Sequence, residues 1–135
     1  MTNKSLIDFI KTDLGCKCPD EVFSKIEKSI NPVNHDNISS LNRVLVGERL
    51  LIYIVHASLH DVVEPFLEVM FSIGKTDRDE NHYNRFRLVV VVSESELTAC
   101  DQMLHGEFKS SVFDGDDKLH LHVIGLDQVP AEFAA

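Results

Sequence analysis

The stretch FRLVVVV, residues 86–92, decides the fold that this sequence predicts. Its apolar side chains follow one another without alternation, which is the pattern of a strand buried on both faces. A second apolar run, LLIYIV at residues 50–55, lies before it, and KLHLHVI at residues 118–124, which alternates in character, lies after it. These three segments predict strands of one sheet that other elements cover.

Helical patterns separate the three strands. Apolar residues recur at helical spacing over residues 61–73, and Gly74 is expected to end that helix. Ser93 and Glu96 form a capping box for the next helix, which is expected to end at Gly106. A helical crossover returns the chain to the end of the sheet at which the previous strand began. The three strands are therefore predicted to be parallel.

Two polar segments, VNHDNISS at residues 33–40 and KTDRDENHYNR at residues 75–85, are predicted to be loops. After the first of them, LNRVLV at residues 41–46 predicts a further strand. Gly47 and Glu48 follow it and suit a two-residue hairpin turn that needs glycine first, so this strand should pair antiparallel with the next one.

The N-terminal segment, residues 1–31, is predicted to be a helical hairpin. Ser5 can cap a first helix that Gly15 ends, and a second helix is expected from about Pro19 to Ile30. Both helices have an apolar stripe that can pack on a sheet.

The predicted order of elements is therefore α-α-β-β-α-β-α-β. This order indicates an α/β or α+β class with a mixed four-stranded sheet, whose first two strands form a hairpin and whose helices pack on the sheet. We expect one domain over residues 1–135, with the helical hairpin of residues 1–31 packed on a sheet core over residues 41–124.

Length and composition agree with a single domain. The chain has 135 residues, of which 44% are hydrophobic, so it can bury one core without disulfides or metal. Its apolar runs are too short to cross a bilayer, and its first residues lack the layout of a signal peptide. Three cysteines, an odd number, favour reduced thiols over a disulfide framework. The expected localisation is cytoplasmic.

The charge of the chain disfavours polyanionic partners. Acidic residues outnumber basic ones by 22 to 13, which gives a net charge of −9, and no basic stripe is interleaved with aromatic residues. Such a surface repels phosphate backbones and anionic lipids, so neither nucleic acid nor membrane is an expected partner. A protein partner and self-association both stay open.

The motif CKCP, residues 16–19, is the strongest chemical signal in the sequence. If Pro19 opens a helix, Cys18 lies at its N-cap, where unpaired N–H groups and the helix dipole favour the thiolate. Cys16 is then a resolving partner in a strained and easily reduced disulfide. These positions predict Cys16 and Cys18 as catalytic residues in redox or sulfur chemistry. The alternative is that both are small, half-buried residues at a helix boundary.

Metal binding is a rival use of the same thiols. Cys16 and Cys18 could hold zinc with further ligands, although paired zinc cysteines usually have two to four residues between them. His120 and His122 are a second candidate pair, because alternate residues of a strand project from one face. Zinc is thus a candidate cofactor that the chain does not require, and an ordinary half-exposed strand face is the alternative for the histidines.

The remaining candidates come from the expected topology. Ligands of such sheets bind beyond the carboxyl ends of parallel strands. Six residues lie there in the predicted fold: His56, Ser58, His60, Asp61, Ser93 and Glu94. An acid beside a histidine can orient it for general-base chemistry. Neither serine lies in a nucleophile motif, and both are better explained as helix caps than as catalytic residues.

Three functional hypotheses follow, and the sequence does not decide between an enzyme and a binding protein. The first is thiol chemistry at residues 16–19, and the second is metal binding by the same cysteines. The third is a noncatalytic interaction or regulatory module, in which the acidic surface and the loop at residues 75–85 meet a basic partner or a second copy. No phosphate-binding glycine motif is present in the sequence.

Overall fold

A mixed sheet of five strands forms the centre of the computed structural model, which describes residues 6–15, 20–35, 38–62 and 65–133. The strands lie side by side in chain order: β1 (Ile26–His35), β2 (Ile38–Val46), β3 (Leu50–His56), β4 (Arg85–Val92) and β5 (Leu119–Gly125). The first three are antiparallel, whereas β3, β4 and β5 are parallel. The predicted α/β class is confirmed, but the sheet has five strands where four were expected.

Three helical segments cover the sheet. One α-helical turn, α1 (Leu6–Asp8), continues directly as a π-helical turn at Phe9–Asp13, and the two longer helices are α2 (Phe66–Asn81) and α3 (Leu97–Ser110). Within the described ranges, no helix is both long enough and apolar enough to cross a bilayer.

Each face of the sheet has its own core. We call the side covered by α2 and α3 the helical face; Met70 and Phe71 of α2 and Cys100 and Leu104 of α3 are fully buried there. We call the opposite side the N-terminal face, because the N-terminal helical turns cover it. Phe9 and Ile10 are completely buried on that face, which contributes about 1.5–3 kcal/mol for each side chain. The apolar stripe predicted for the first helix is thereby confirmed.

The expected second helix is wrong, because residues from Ile26 onward form a strand. A short 3₁₀ turn, Asp20–Ser24, directly precedes β1, and β1 extends into the segment predicted to be a loop. Pairing with β2 satisfies the backbone groups of this segment and outweighs the helical spacing of its apolar residues. Pro32 has no N–H to donate, which an edge strand tolerates. Ile30, the last residue of the predicted second helix, is 73% exposed.

Gly74 does not end its helix. It lies inside α2, at a place where the ring of Phe86 leaves no room for a side chain. A Cβ at Gly74 would lie 2.1 Å from Phe86 Cζ. The helix continues to Asn81 and is capped by His82, whose φ is +61°. Most of the loop predicted at residues 75–85 is therefore helical, and the glycine marks a close approach of helix and strand.

Other predicted boundaries differ in smaller ways. The hairpin between β2 and β3 is confirmed, with Gly47 and Glu48 both at positive φ, although Val46 pairs with Leu50 and the loop has three residues. Helix α3 continues past Gly106 to Ser110. Gly15, at φ +70°, follows the N-terminal helical turns as expected, whereas the Ser5 cap lies outside the described residues.

Candidate functional site

The carboxyl ends of the parallel strands, where the sequence predicts a pocket, hold hydrogen bonds between loops. His56 at the end of β3 donates from Nε2 to the backbone carbonyl of Phe133. Because a carbonyl can only accept, this contact fixes the tautomer of His56 and ties it to the C-terminal 3₁₀ turn. His60 is exposed on the turn that follows.

Ser58 and Asp61 close that turn on themselves. The Asp61 carboxylate accepts from the backbone N–H of Ser58 at 2.9 Å and from its hydroxyl at 3.0 Å. The Asp61 N–H donates in return to the Ser58 carbonyl at 2.9 Å. An aspartate that bonds the local backbone in this way stabilises a turn.

Two glutamates bind the neighbouring loops. Glu94 accepts from the backbone N–H of Asp127 at 3.0 Å, and Glu96 accepts from that of Leu59 at 3.1 Å. Gly125 leaves room for the first contact, since a Cβ there would lie 2.1 Å from the Glu94 carboxylate. Polar groups at this edge thus connect loops to one another.

The capping box predicted at Ser93 is not formed. The Ser93 hydroxyl lies 3.2 Å from that of Ser95 and caps no backbone N–H.

Two cavities of the described residues lie away from the carboxyl ends of the strands. One of about 620 Å³ lies between the start of α2 and the end of α3, and one of about 460 Å³ lies beside α2. Neither is lined by the six residues predicted to form the pocket.

The cysteine motif cannot be placed, because Cys16 and Cys18 lie outside the described residues. Cys100 is fully buried in the core of the helical face, as its position on the apolar stripe predicts. Burial, followed by the nearby Glu96 charge, raises the pKa of its thiol, so Cys100 is a poor nucleophile in the folded protein.

A different group of polar residues lies on the N-terminal face, on the first halves of β4 and β5. Arg85 and Arg87 project from β4, and His120 and His122 project from β5, which pairs with it in parallel. We call these four side chains the Arg–His cluster. Two-residue spacing along each strand places all four on one face, within an area of about 5 by 7 Å set by the spacing between strands and the rise per residue.

Diagonal hydrogen bonds join the cluster. Arg87 Nη1 lies 2.9 Å from His122 Nε2, and Arg85 Nη1 lies 3.3 Å from His120 Nε2. A guanidinium can only donate, so both Nε2 atoms accept and both histidines are neutral with the proton on Nδ1. The cluster therefore has two positive charges and two neutral rings.

Arg87 is the unusual member because its charge is buried. The residue is 7% exposed, and its Nε atom is buried without a hydrogen-bond partner. Its described contacts include no carboxylate, in contrast to Arg78, which is similarly buried but pairs with Asp79 and Asp116. A buried cation without a counter-charge is strongly unfavourable in a protein interior.

The electrostatics of the cluster follow from this burial. Burial, and then the charge of Arg85, lower the pKa of Arg87. Burial, and then the charges of Arg87 and the other nearby histidines, lower the pKa of His122 to about 3. The pKa of His120 is also lowered, by burial and both arginines, against a weaker opposing effect of Asp117 and Asp116. All these shifts report an excess of positive charge in a partly desolvated place.

The predicted metal pair, His120 and His122, thus lies in surroundings that favour anions. The arginines occupy the Nε2 lone pairs, and their charges repel a cation. Across the described ranges, no three His, Cys, Asp or Glu side chains come together as a metal site would require.

A second polar cluster, on the helical face, is internally satisfied. Asp77 of α2 accepts from Arg43 Nε at 2.8 Å and Nη2 at 3.0 Å, and from the Tyr53 hydroxyl at 2.6 Å. Burial alone would raise the pKa of Asp77. The hydrogen bonds from Arg43 and Tyr53 outweigh this effect, so the pKa of Asp77 is lower than its ordinary value. Here each charge has its partner, so the cluster connects α2 to β2 and β3.

Sequence reasoning found half of the Arg–His cluster. The alternation in KLHLHVI placed both histidines on one face. Arg87 was assigned to a strand defined by its valines, and Arg85 was assigned to the loop predicted before that strand. The usable signal was that arginine and histidine both recur at two-residue spacing in neighbouring strands. Parallel register, which brings the two pairs together, is a property of the folded sheet.

The fold and this cluster define the protein as an α/β domain with a cationic site on one face of its sheet. Comparison with family models, with curated proteins and with solved structures finds no match.

Proposed function

We propose that this domain is a noncatalytic binding module and that its ligand is an anion held at the Arg–His cluster. The observation that carries the proposal is Arg87, a buried guanidinium whose described contacts include no carboxylate. A ligand anion would supply the missing counter-charge in a site where low polarity strengthens the attraction.

The side chains at the carboxyl ends of the parallel strands support a binding role over a catalytic one. Its polar side chains hold loops in place through their hydrogen bonds, for example Glu94 to Asp127 and Asp61 to Ser58. Groups committed in this way stabilise the fold and are poorly placed for general acid or base chemistry.

The proposal predicts that the cluster lowers stability, as binding sites often do. Replacing Arg87 and His122 together by apolar residues of similar size, Arg87→Met with His122→Leu, removes both partners of one hydrogen bond and one buried charge. We expect the free energy of unfolding to rise by about 1 kcal/mol, measured by urea denaturation.

Arg78→Met is the matched control for this experiment. Arg78 is 9% exposed, but it pairs with Asp79 and Asp116, so its loss removes the cation that joins these two carboxylates and should lower stability. If the double variant loses as much stability as the control, the cluster is a structural element and the proposal is overturned.

Thiol chemistry at Cys16 and Cys18 stays a prediction, and so does metal binding by these cysteines. The burial of Cys100 makes the thiol prediction easy to test, because any thiol that reacts in the folded protein belongs to this motif. Alkylation followed by peptide mass spectrometry should modify Cys18 first. Equally slow modification of all three cysteines would contradict thiol chemistry.

A further inference from the structure

We propose that the anion bound by the Arg–His cluster is the phosphoryl group of a small phosphate monoester. This inference rests on the proposed function, and it adds the charge, shape and size of the ligand.

The charge of the cluster indicates a dianion. Arg85 and Arg87 are two fixed positive charges two residues apart on the same face of β4, and their hydrogen-bond partners, His120 and His122, are neutral acceptors. One carboxylate would leave one of these charges uncompensated, whereas a phosphate monoester above its second pKa, about 6, carries nearly two negative charges.

The arrangement of donors indicates a tetrahedral group. The two guanidinium groups are staggered along the strand direction and approach from β4, while the histidine rings line the β5 side. Three phosphoryl oxygens can accept from donors in different directions, and arginine forks match phosphate oxygens well. A planar carboxylate offers two oxygens in one plane and suits one guanidinium group rather than two.

The surroundings of the cluster indicate a small ligand. The neighbouring strand presents Leu50 and Ile52 beside the two arginines on the same face. The whole chain has a net charge of −9, which repels a long polyanion such as nucleic acid or an anionic membrane at low ionic strength. A compact phosphate monoester avoids most of this repulsion while its phosphoryl group meets the local positive charge.

Isothermal titration calorimetry on the full chain tests the inference. The probes are inorganic phosphate, glycerol 1-phosphate, sodium acetate and a lysine-containing phosphoserine peptide, at constant ionic strength and a pH above about 7. We expect the two phosphates to bind about tenfold more tightly than acetate, in line with the greater strength of charge-assisted pairs.

Three variants locate the binding. Arg87→Met with His122→Leu should abolish phosphate binding, and Arg85→Gln, at an exposed position that the fold tolerates, should weaken it about tenfold. Lys109→Gln on α3 removes the same charge from an exposed site on the other side of the sheet and should leave binding unchanged.

The outcomes separate this inference from the proposed function. Acetate binding as tightly as phosphate, with both lost in the double variant, would overturn the phosphoryl group and retain an anion site. A phosphoserine peptide binding far more tightly than glycerol 1-phosphate would overturn the small ligand. If no probe distinguishes the wild-type protein from the double variant, both proposals fail.

Discussion

Two glycines within helices have opposite surroundings, and each gives a clear expectation for one substitution. Gly74 in α2 faces the ring of Phe86, and a Cβ there would lie 2.1 Å from Cζ. Gly106 in α3 has no atom within 4 Å of the place where a Cβ would be. Gly74→Ala should lower the free energy of unfolding by about 1–3 kcal/mol, because a packed ring has to move.

Gly106→Ala serves as the control, since it should raise stability by up to about 1 kcal/mol through helix propensity alone. Thermal and urea denaturation of the two variants measure the contrast. A stabilising Gly74→Ala would show that Phe86 does not pack against α2 in the way described.

At the scale of single elements, Asp77 connects the part of α2 beyond Gly74 to the sheet. Its carboxylate binds Arg43 of β2 and Tyr53 of β3, and its side chain is only 15% exposed. Asp77→Asn should therefore lower the free energy of unfolding by about 3 kcal/mol, because the partly buried Arg43 loses its counter-charge. Chemical denaturation measures the loss.

Asp79→Asn, two residues along the same helix, is the comparison. Its carboxylate pairs with Lys75 and Arg78 but is 47% exposed, so the substitution should change stability by less than about 1 kcal/mol. Equal losses for the two variants would mean that the bond from α2 to the sheet is no stronger than a surface pair.

The elements differ in how far the sequence predicts them. Strands β3, β4 and β5 are predictable because they are buried and their apolar runs are continuous or alternate regularly. Strand β1 was missed because it lies at the sheet edge, where Lys28 and Ser29 interrupt the apolar pattern and only pairing with β2 makes it extended. Packing against Phe86 likewise decides whether Gly74 ends a helix, and the local sequence does not contain that contact.

At the scale of the whole molecule, His122 of the Arg–His cluster makes stability depend on pH below neutrality. His122 has a pKa of about 3 in the fold, against its ordinary value of 6.5. The unfolded chain therefore binds a proton below about pH 6.5 while the folded protein does not, so stability is lost as the pH falls from there toward about 3.

His122→Gln tests this dependence. Glutamine keeps an oxygen that accepts from Arg87 and does not titrate. Between about pH 7 and about pH 5, the variant should lose about 1–2 kcal/mol less stability than the wild-type protein. The measurement is a series of urea titrations across pH. Parallel pH profiles for the two proteins would contradict the buried, neutral state of His122.

The candidate site could be predicted only in part at this scale as well. His120 and His122 were found from their alternation, but the sequence suggested a metal, because it does not show that two arginines of another strand lie beside them. The six residues predicted for the carboxyl edge do lie near strand ends, yet His56 is held by Phe133, a contact across most of the chain.

The order of the strands also bears on how the chain reaches its fold. Because each strand pairs with its predecessor in the chain, β1, β2 and β3 can assemble as soon as His56 has been synthesised. We expect the parallel pairs to form later, since each must close a long loop through α2 or α3. Until then the apolar edge of β3 is open to other chains, so we expect aggregation during folding to begin at that edge.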